Sequence, residues 1–516
     1  MAKPLTVLRR SMIAAMALIA FAPARAAIVI GVTPSSPLMD ERLNISVTGL
    51  RADAPVALIA RSLASDGLWW RSETMFRSDS RGAINLNSQA PLSGSYRGTD
   101  AMGLFWSMSP DAAPKNADHA FFEIADFARP VTTIFEVRDG NGIVARMSLE
   151  RRFARPGVRS ITVRDGILGT LYEPGDSAAH PGVLVLGGSE GGYGQPDVAM
   201  LFASHGFAAL SLAYFGEMGL PATLENVPME YFAKAIRWMR NRPDIDPGSI
   251  AIYGASRGTE PALYTAATVP GVSAVVARSP SFVLWGGVSA SHLPGDAAWT
   301  ANGKPLPYIA NTLYPDFILT YLWDRLSQTP IRQTPLFIED MARFGDAASI
   351  AIPVEKIHGP VLLLAGKDDQ IWPSPVFVDR ILARLRRFGH PYDDRASSMT
   401  ASGIRSHTPI FPRAGINRSF LLRSAERRRD GPGRRPRRGR RYCDFSPMPR
   451  RTGTEPLRPL FVCDGLNHLL RATPIGCIAD GAAPHPVQLR PGRNVVIGER
   501  TVVWTVLKRR SVGQRG

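Results

Sequence analysis

Ser249-Ile-Ala-Ile-Tyr-Gly-Ala-Ser-Arg-Gly258 carries a short apolar run into a Gly-x-Ser-x-Gly turn, and a helical segment follows. A serine on so sharp a strand-to-helix turn presents its hydroxyl at the end of a sheet. Glycines flank it because side chains at Gly254 and Gly258 would collide with the neighbouring strand and helix. Ser256 is therefore the candidate nucleophile, with a buried structural serine as the alternative. The five-residue pattern also arises by chance in a chain of this length, so its flanks have to carry the assignment.

Those flanks alternate strands and helices. A strand at Gly182–Leu186 ends in Gly187-Gly-Ser-Glu-Gly-Gly192, Val198–Ser204 reads as helix and Phe207–Ala213 as a buried strand. Phe232, Ile236 and Met239 then form an apolar stripe at helical spacing. After the serine come a helix over Glu260–Thr268 and a strand over Val272–Ala277, which together predict a mostly parallel sheet covered on both faces. A Trp-, Pro- and Gly-rich insertion from Ser281 to about Ile352 contains Trp285, Trp299 and Leu306-Pro-Tyr308. Residues 27–156 differ: short runs at Ile28–Val32, Leu43–Val47, Val56–Arg61, Thr132–Val137 and Gly142–Leu149, broken by turns such as Asp139-Gly-Asn-Gly142, predict a small β-sandwich.

Composition divides the chain again. Its net charge of +17 resides in residues 396–516, which hold 24 Lys+Arg against 7 Asp+Glu, while the rest holds 37 of each sign. All three cysteines (Cys443, Cys463, Cys477) lie in that same stretch, so residues 1–395 have no thiol for a disulfide or a metal. Met1–Ala26 has the plan of an export signal: Lys3, Arg9 and Arg10, an apolar run from Met12 to Phe21, then Ala24-Arg25-Ala26. The run is about half of the roughly 20 residues a membrane span needs. An exported protein, periplasmic or secreted, with no stable membrane anchor after cleavage is expected. Export also argues against nucleic acid as the partner of the arginine runs at 427–429 and 434–441.

Ala90-Pro-Leu-Ser-Gly-Ser-Tyr-Arg-Gly-Thr-Asp-Ala-Met-Gly-Leu-Phe-Trp-Ser-Met-Ser-Pro110, with Trp69-Trp70 before it, resembles the N-terminal domain of the acyl-CoA thioesterase and bile acid-CoA:amino acid N-acyltransferase family. The resemblance covers about Ile28 to Arg395. It implies an immunoglobulin-like β-sandwich (27–156) followed by an α/β-hydrolase domain (157–395) whose insertion at 281–352 acts as a cap. It also implies hydrolysis of a small-molecule acyl thioester or ester without cofactor or metal. Acyltransferases of that family carry cysteine at the elbow, so serine here favours hydrolysis.

Acyl transfer needs a nucleophile, a base, a group that orients the base, and donors for the oxyanion. The donors are expected to be backbone N–H groups, one from Arg257 and one from Ser189 or Glu190 in the glycine-rich loop. The acid should follow a later strand, and Val361-Leu-Leu-Leu-Ala-Gly-Lys-Asp-Asp-Gln-Ile-Trp-Pro373 supplies it. The family resemblance selects Asp369, with Asp368 as the alternative.

For the base, the resemblance calls for a glycine-framed histidine after the next strand, but the match stops near Arg395 and the nearest substitute is His407. His358 and His390 read as structural. Back-translated and read in a shifted frame, Met399–Gly415 yields Asp-Gly-Gln-Arg-His-Pro-Ile-Pro-Tyr-Pro-Tyr-Leu-Pro-Thr-Arg-Gly, which resembles the missing family segment. A frameshift between Arg395 and Met399 would make 396–516 an out-of-frame, unpacked basic tail and account for its charge and cysteines together. On this reading the polypeptide is either a serine hydrolase or a hydrolase disabled for want of its histidine. Acyl length and oligomeric state are not encoded legibly.

Overall fold

The computed structural model describes residues 27–111, 122–289, 294–327, 332–345 and 347–399, together with the antiparallel pair Val496–Ile497 and Arg500–Thr501. The leader expected at Met1–Ala26 and almost all of the basic tail, His407 included, lie outside them. By contacts, Met1–Arg435 forms one compact unit and Pro436–Gly516 a second.

The first half is a β-sandwich. β1 (Val29–Thr33) pairs with β2 (Asn44–Thr48), and the facing sheet is built on β3 (Pro55–Leu63), flanked by β4 (Trp69–Arg77) and β5 (Val131–Asp139), with β6 (Gly142–Arg151) beyond β5. Ile45, Val47, Val56, Leu58, Phe76, Phe135 and Val137 from both sheets share one core. β4 was not legible as a strand because its inward positions are Trp70, Ser72, Thr74 and Phe76, so two hydroxyls interrupt the apolar alternation. Ser72 satisfies its hydroxyl by donating to the Leu104 carbonyl at 2.5 Å. The Trp- and Met-rich segment supplies core and turns, with Tyr96, Met102, Leu104 and Phe105 all buried.

The second half is an eight-stranded sheet in the order β7 (Arg159–Val163), β8 (Leu168–Glu173), β10 (Ala208–Ala213), β9 (His180–Leu186), β11 (Ile245–Ala255), β12 (Val272–Arg278), β13 (Val361–Gly366) and β14 (Arg395–Met399). β7 pairs antiparallel with β8 and β8 antiparallel with β10; from β10 through β14 every pairing is parallel. Helix α1 (Pro196–Ser204) packs on one face through Val198 and Phe202. Helices α2 (Met229–Arg240), α3 (Thr259–Thr268) and α6 (Ser374–Arg387) pack on the other, where Phe232, Ile236 and Met239 lie buried as their spacing predicted. Strands covered on both sides are near-continuous apolar runs, as β9 is from Gly182 to Leu186 and β10 is apart from Ser211, whose hydroxyl donates to the Tyr193 carbonyl. The 281–352 insertion contributes α4 (Pro315–Leu326) and α5 (Thr334–Phe344).

Arg395 was the expected end of the hydrolase domain, but it falls at the start of β14. Ala396–Met399 pair with β13 up to Gly366, so the first tail residues complete the sheet instead of lying unpacked. The five residues Arg395–Met399 give the outer backbone groups of β13 a ladder partner, and the open edge of the sheet moves to β14.

The two halves are joined at a small interface. Leu38 and Met39 pack against Phe153 and Leu201, His205 Nε2 lies 2.8 Å from Asp40 Oδ2, and the Arg155 N–H donates to Ser204 Oγ at 2.9 Å. Truncating fully buried Leu201 to alanine should destabilise the protein by about 2–5 kcal/mol. Limited proteolysis of Leu201→Ala should show faster cleavage near Arg155; unchanged cleavage would mean that this contact does not hold the halves together.

Candidate active site

Parallel strands end at a common edge, and β9, β11, β12 and β13 bring Gly187, Ser256, Ser279 and Asp369 to it. Ser256 follows the last residue of β11 and has φ of +50°, a left-handed conformation that a non-glycine residue adopts only when its surroundings impose it. The surroundings here are tight. A Cβ at Gly258 would lie 1.9 Å from the Gly187 carbonyl oxygen, and one at Gly254 would lie 2.5 Å from the Gly258 carbonyl oxygen. Both glycines of the motif are therefore required by close backbone approach. The Ser256 carbonyl accepts from Thr259 Oγ1 at 2.7 Å, which fixes the first turn of α3.

The glycine-rich loop lies directly over the serine: a Cβ at Gly188 would be 3.0 Å from Ser256 Cβ. Buried Tyr214, just after β10, has its hydroxyl 2.8 Å from the carbonyl oxygens of both Gly187 and Gly188. Burial pushes the Tyr214 phenol well above its usual range, so it stays a protonated donor. Holding these two carbonyls toward the protein interior constrains the loop that should offer oxyanion N–H groups. Ser189 and Glu190, its expected donors, are exposed. The Glu190 carboxylate folds back over the loop, with Oε2 2.8 Å from the same Gly188 Cβ position, and so lies less than 6 Å from Ser256 Cβ. Sequence reasoning missed Tyr214, which no motif marks.

Asp369 is buried and Asp368 exposed, which separates the two acids. Asp369 Oδ1 accepts from the N–H groups of Ile371 (3.1 Å) and Trp372 (3.3 Å), and Oδ2 accepts from Ser374 Oγ at 2.6 Å. Burial raises its pKa above the ordinary carboxylate value, with these hydrogen bonds and Arg278 opposing the rise. Asp368 turns instead to Gln370.

Arg257 contributes more than the backbone N–H expected of it. Its guanidinium is buried, lies 2.8 Å from Glu260 Oε1, and donates to the carbonyls of Trp285 and Gly286 at 3.1 and 2.9 Å. Glu260 Oε2 accepts from Trp285 N–H at 3.0 Å and Trp299 Nε1–H at 2.7 Å. Trp285 and Trp299 of the insertion are fully buried and tie it to the elbow, so this part of it is core.

No described histidine approaches Ser256. His180 begins β9, His205 precedes β10, His358 precedes β13 and His390 precedes β14; all four lie toward the opposite edge of the sheet, roughly a strand length (~15–20 Å) away. His390 has a structural role, with Nδ1 2.7 Å from Asp394 and Nε2 2.8 Å from the Ile357 carbonyl oxygen. Burial disfavours its charged form, but these acceptors outweigh burial and raise its pKa. Among the described residues no cluster of metal-ligating side chains occurs, and no helix is long and apolar enough to cross a membrane.

Residues 40–165 match the model of the acyl-CoA thioester hydrolase/BAAT N-terminal region, and residues 227–425 match the BAAT/acyl-CoA thioester hydrolase C-terminal model. The second match runs past Arg395, where the resemblance read from sequence stops, and across His407. Acyl-coenzyme A thioesterase 1 of Mus musculus is 31% identical over 74% of this chain and 86% of its own length. The mitochondrial acyl-coenzyme A thioesterase 2 of Mus musculus is 30% identical over 74% and 80%. The peroxisomal succinyl-coenzyme A thioesterase of Mus musculus is 30% identical over 72% and 84%.

Two outcomes follow from this geometry. Tyr214→Phe removes the donor to the Gly187 and Gly188 carbonyls and should lower kcat about 5-fold with KM nearly unchanged, since one neutral hydrogen bond is worth about 1 kcal/mol; equal changes in both constants would count against a role in the loop. Burial raises the Glu260 pKa to about 6 from 4.5, against the pull of Arg257 and its hydrogen bonds. A folded-state value above the unfolded one means that the folded state binds the proton more tightly, so Glu260's contribution to stability is largest below about pH 4.5 and declines as pH climbs through about 6. Thermal melts of Glu260→Gln should lose that decline; the same pH slope as wild type would refute it.

Proposed function

This chain belongs to the acyl-CoA thioester hydrolase/BAAT family, and from that premise we propose that it hydrolyses acyl-CoA thioesters through an acyl-serine intermediate. The supporting observation is Ser256 at φ +50° under the glycine loop, on the sheet edge that also carries buried Asp369. Ser256 Oγ attacks the thioester carbonyl while a histidine takes its proton. Backbone N–H groups of Arg257 and of Ser189 or Glu190 receive the oxyanion. Collapse expels the thiolate, which leaves as thiol with the histidine's proton, and water attacking the acyl-enzyme by the same route frees the carboxylic acid and restores Ser256. Asp369 orients the histidine.

The base should come from the segment after β14, because Met399 ends that strand on the same edge as Ser256. His407, eight residues on and within the family match, is the candidate. The charge and cysteine break after Arg395 favours a second reading: a frameshift has removed the base, and the polypeptide is a disabled hydrolase. The nucleotide sequence decides that point, since no single insertion or deletion near Arg395 restoring a histidine-containing frame would reject it. The leader-like Met1–Ala26 favours export and with it another ester as substrate, because CoA thioesters are cytosolic metabolites.

Steady-state assays with palmitoyl-CoA and short p-nitrophenyl esters separate these readings. The thioesterase reading expects preference for palmitoyl-CoA, with Ser256→Ala and His407→Ala each losing about 10³–10⁶-fold in kcat. Preference for the aryl esters favours the exported esterase. Full activity in His407→Ala would place the base elsewhere, and full activity in Ser256→Ala would reject the mechanism.

A further inference from the structure

A cleft of about 470 Å³ opens beside the oxyanion loop and is not used by the chemistry above. It lies between the turn at 164–168, the loop at 218–221 and the start of α2. Its position follows from topology. β8 runs antiparallel to β10, with Leu168 opposite Ala213, so the beginning of β8 lies at the edge where the parallel strands end. That is the edge of Ser256. In the order β8–β10–β9–β11 the cleft end is three strand spacings from the nucleophile, roughly 14 Å. Tyr214 lines the cleft and is the residue whose hydroxyl holds the Gly187 and Gly188 carbonyls, so the cleft and the oxyanion loop share a wall.

The lining has two characters. Ile167, Leu168, Leu220 and Pro221 make it apolar, and Tyr231 shows no free polar tip because its hydroxyl accepts from Leu168 N–H at 2.8 Å and donates to the Ala213 carbonyl at 2.9 Å. Positive charge stands at the turn. Arg164 is exposed and lines the cleft; Lys234 of α2 is exposed and places Nζ beside Gly166, 2.0 Å from where a Cβ would be. Gly166 has φ of +66°, and its missing side chain leaves the space that the ammonium occupies. Neither cation has an ion-pair partner among the described residues.

We propose that this cleft holds the phosphate-bearing end of the coenzyme A leaving group, with Arg164 and Lys234 contacting phosphate oxygens and the apolar lining accommodating the uncharged arm. The inference rests on the thioesterase reading and assigns part of its substrate to a place. A fatty acyl chain in the same cleft would gain nothing from two cations, whereas a long uncharged arm ending in phosphates uses both features and the distance to Ser256. Guanidinium and ammonium groups are the ordinary protein donors to phosphate.

The test compares wild type with Arg164→Ala, Lys234→Ala and the double variant. Calorimetry with free coenzyme A reads binding without requiring turnover, and assays with palmitoyl-CoA and a neutral p-nitrophenyl ester read catalysis. The double variant should weaken coenzyme A binding and raise the palmitoyl-CoA KM ~10-fold, each single variant less, with kcat and aryl-ester kinetics unchanged. Raised salt should weaken wild-type binding more than that of the double variant. Coenzyme A bound equally well by the double variant and wild type overturns the assignment while leaving the thioesterase reading intact. A parallel loss of aryl-ester turnover overturns it too, because the residues would then be supporting the fold. Wild-type protein that neither binds coenzyme A nor hydrolyses its thioesters overturns the assignment together with the reading beneath it.

Discussion

The buried pair of Arg257 and Glu260 is the constraint on which the rest of the site depends. Both side chains are removed from water, Arg257 directly after the nucleophile and Glu260 one helical turn on, where an unpaired charge would cost several kcal/mol. The two charges pair with each other and are hydrogen-bonded by the insertion, Arg257 by the carbonyls of Trp285 and Gly286 and Glu260 by the N–H of Trp285 and the indole of Trp299. The elbow and the 281–352 insertion therefore cannot separate without exposing two charges to unsatisfied burial. Such a pair contributes little net stability against an apolar replacement, but it fixes one arrangement, and the strained Ser256 needs that.

From this anchor the site extends sideways along the sheet edge. The Gly187-Gly188 loop lies over Ser256 because Gly258 permits backbone contact beneath it, and Tyr214 holds the loop's carbonyls from the far side. On the other side, β12 separates β11 from β13, whose turn delivers Asp369 into a cage of two backbone N–H groups and the Ser374 hydroxyl. β14 closes the sheet and ends at this same edge. The elements that would present a base are thus in place up to Met399.

Much of this was legible because it depends on local pattern. The elbow has a five-residue signature enforced by backbone contact, and the buried strands are mostly apolar because both faces are covered. What was illegible depends on tertiary partners. β4 hides its alternation behind Ser72 and Thr74, whose hydroxyls are buried. β8 is turned antiparallel by pairing with β10, and β7 pairs antiparallel with β8 in turn, which no local period announces. Tyr214 looks like any strand-end aromatic until its hydroxyl is seen on two glycine carbonyls. Arg257 was read for its backbone alone, and the surprise lay in its side chain. Asp369 was separated from Asp368 by resemblance, and burial with three hydrogen-bond donors gives the physical reason.

The central claim is that Ser256 is a nucleophile held ready by its surroundings. Treating the protein with a fluorophosphonate probe and locating the adduct by mass spectrometry tests it most directly. The account predicts covalent labelling at Ser256 in the wild-type chain and none in Ser256→Ala. Labelling that persists in Ser256→Ala, or that maps to another residue, would contradict it.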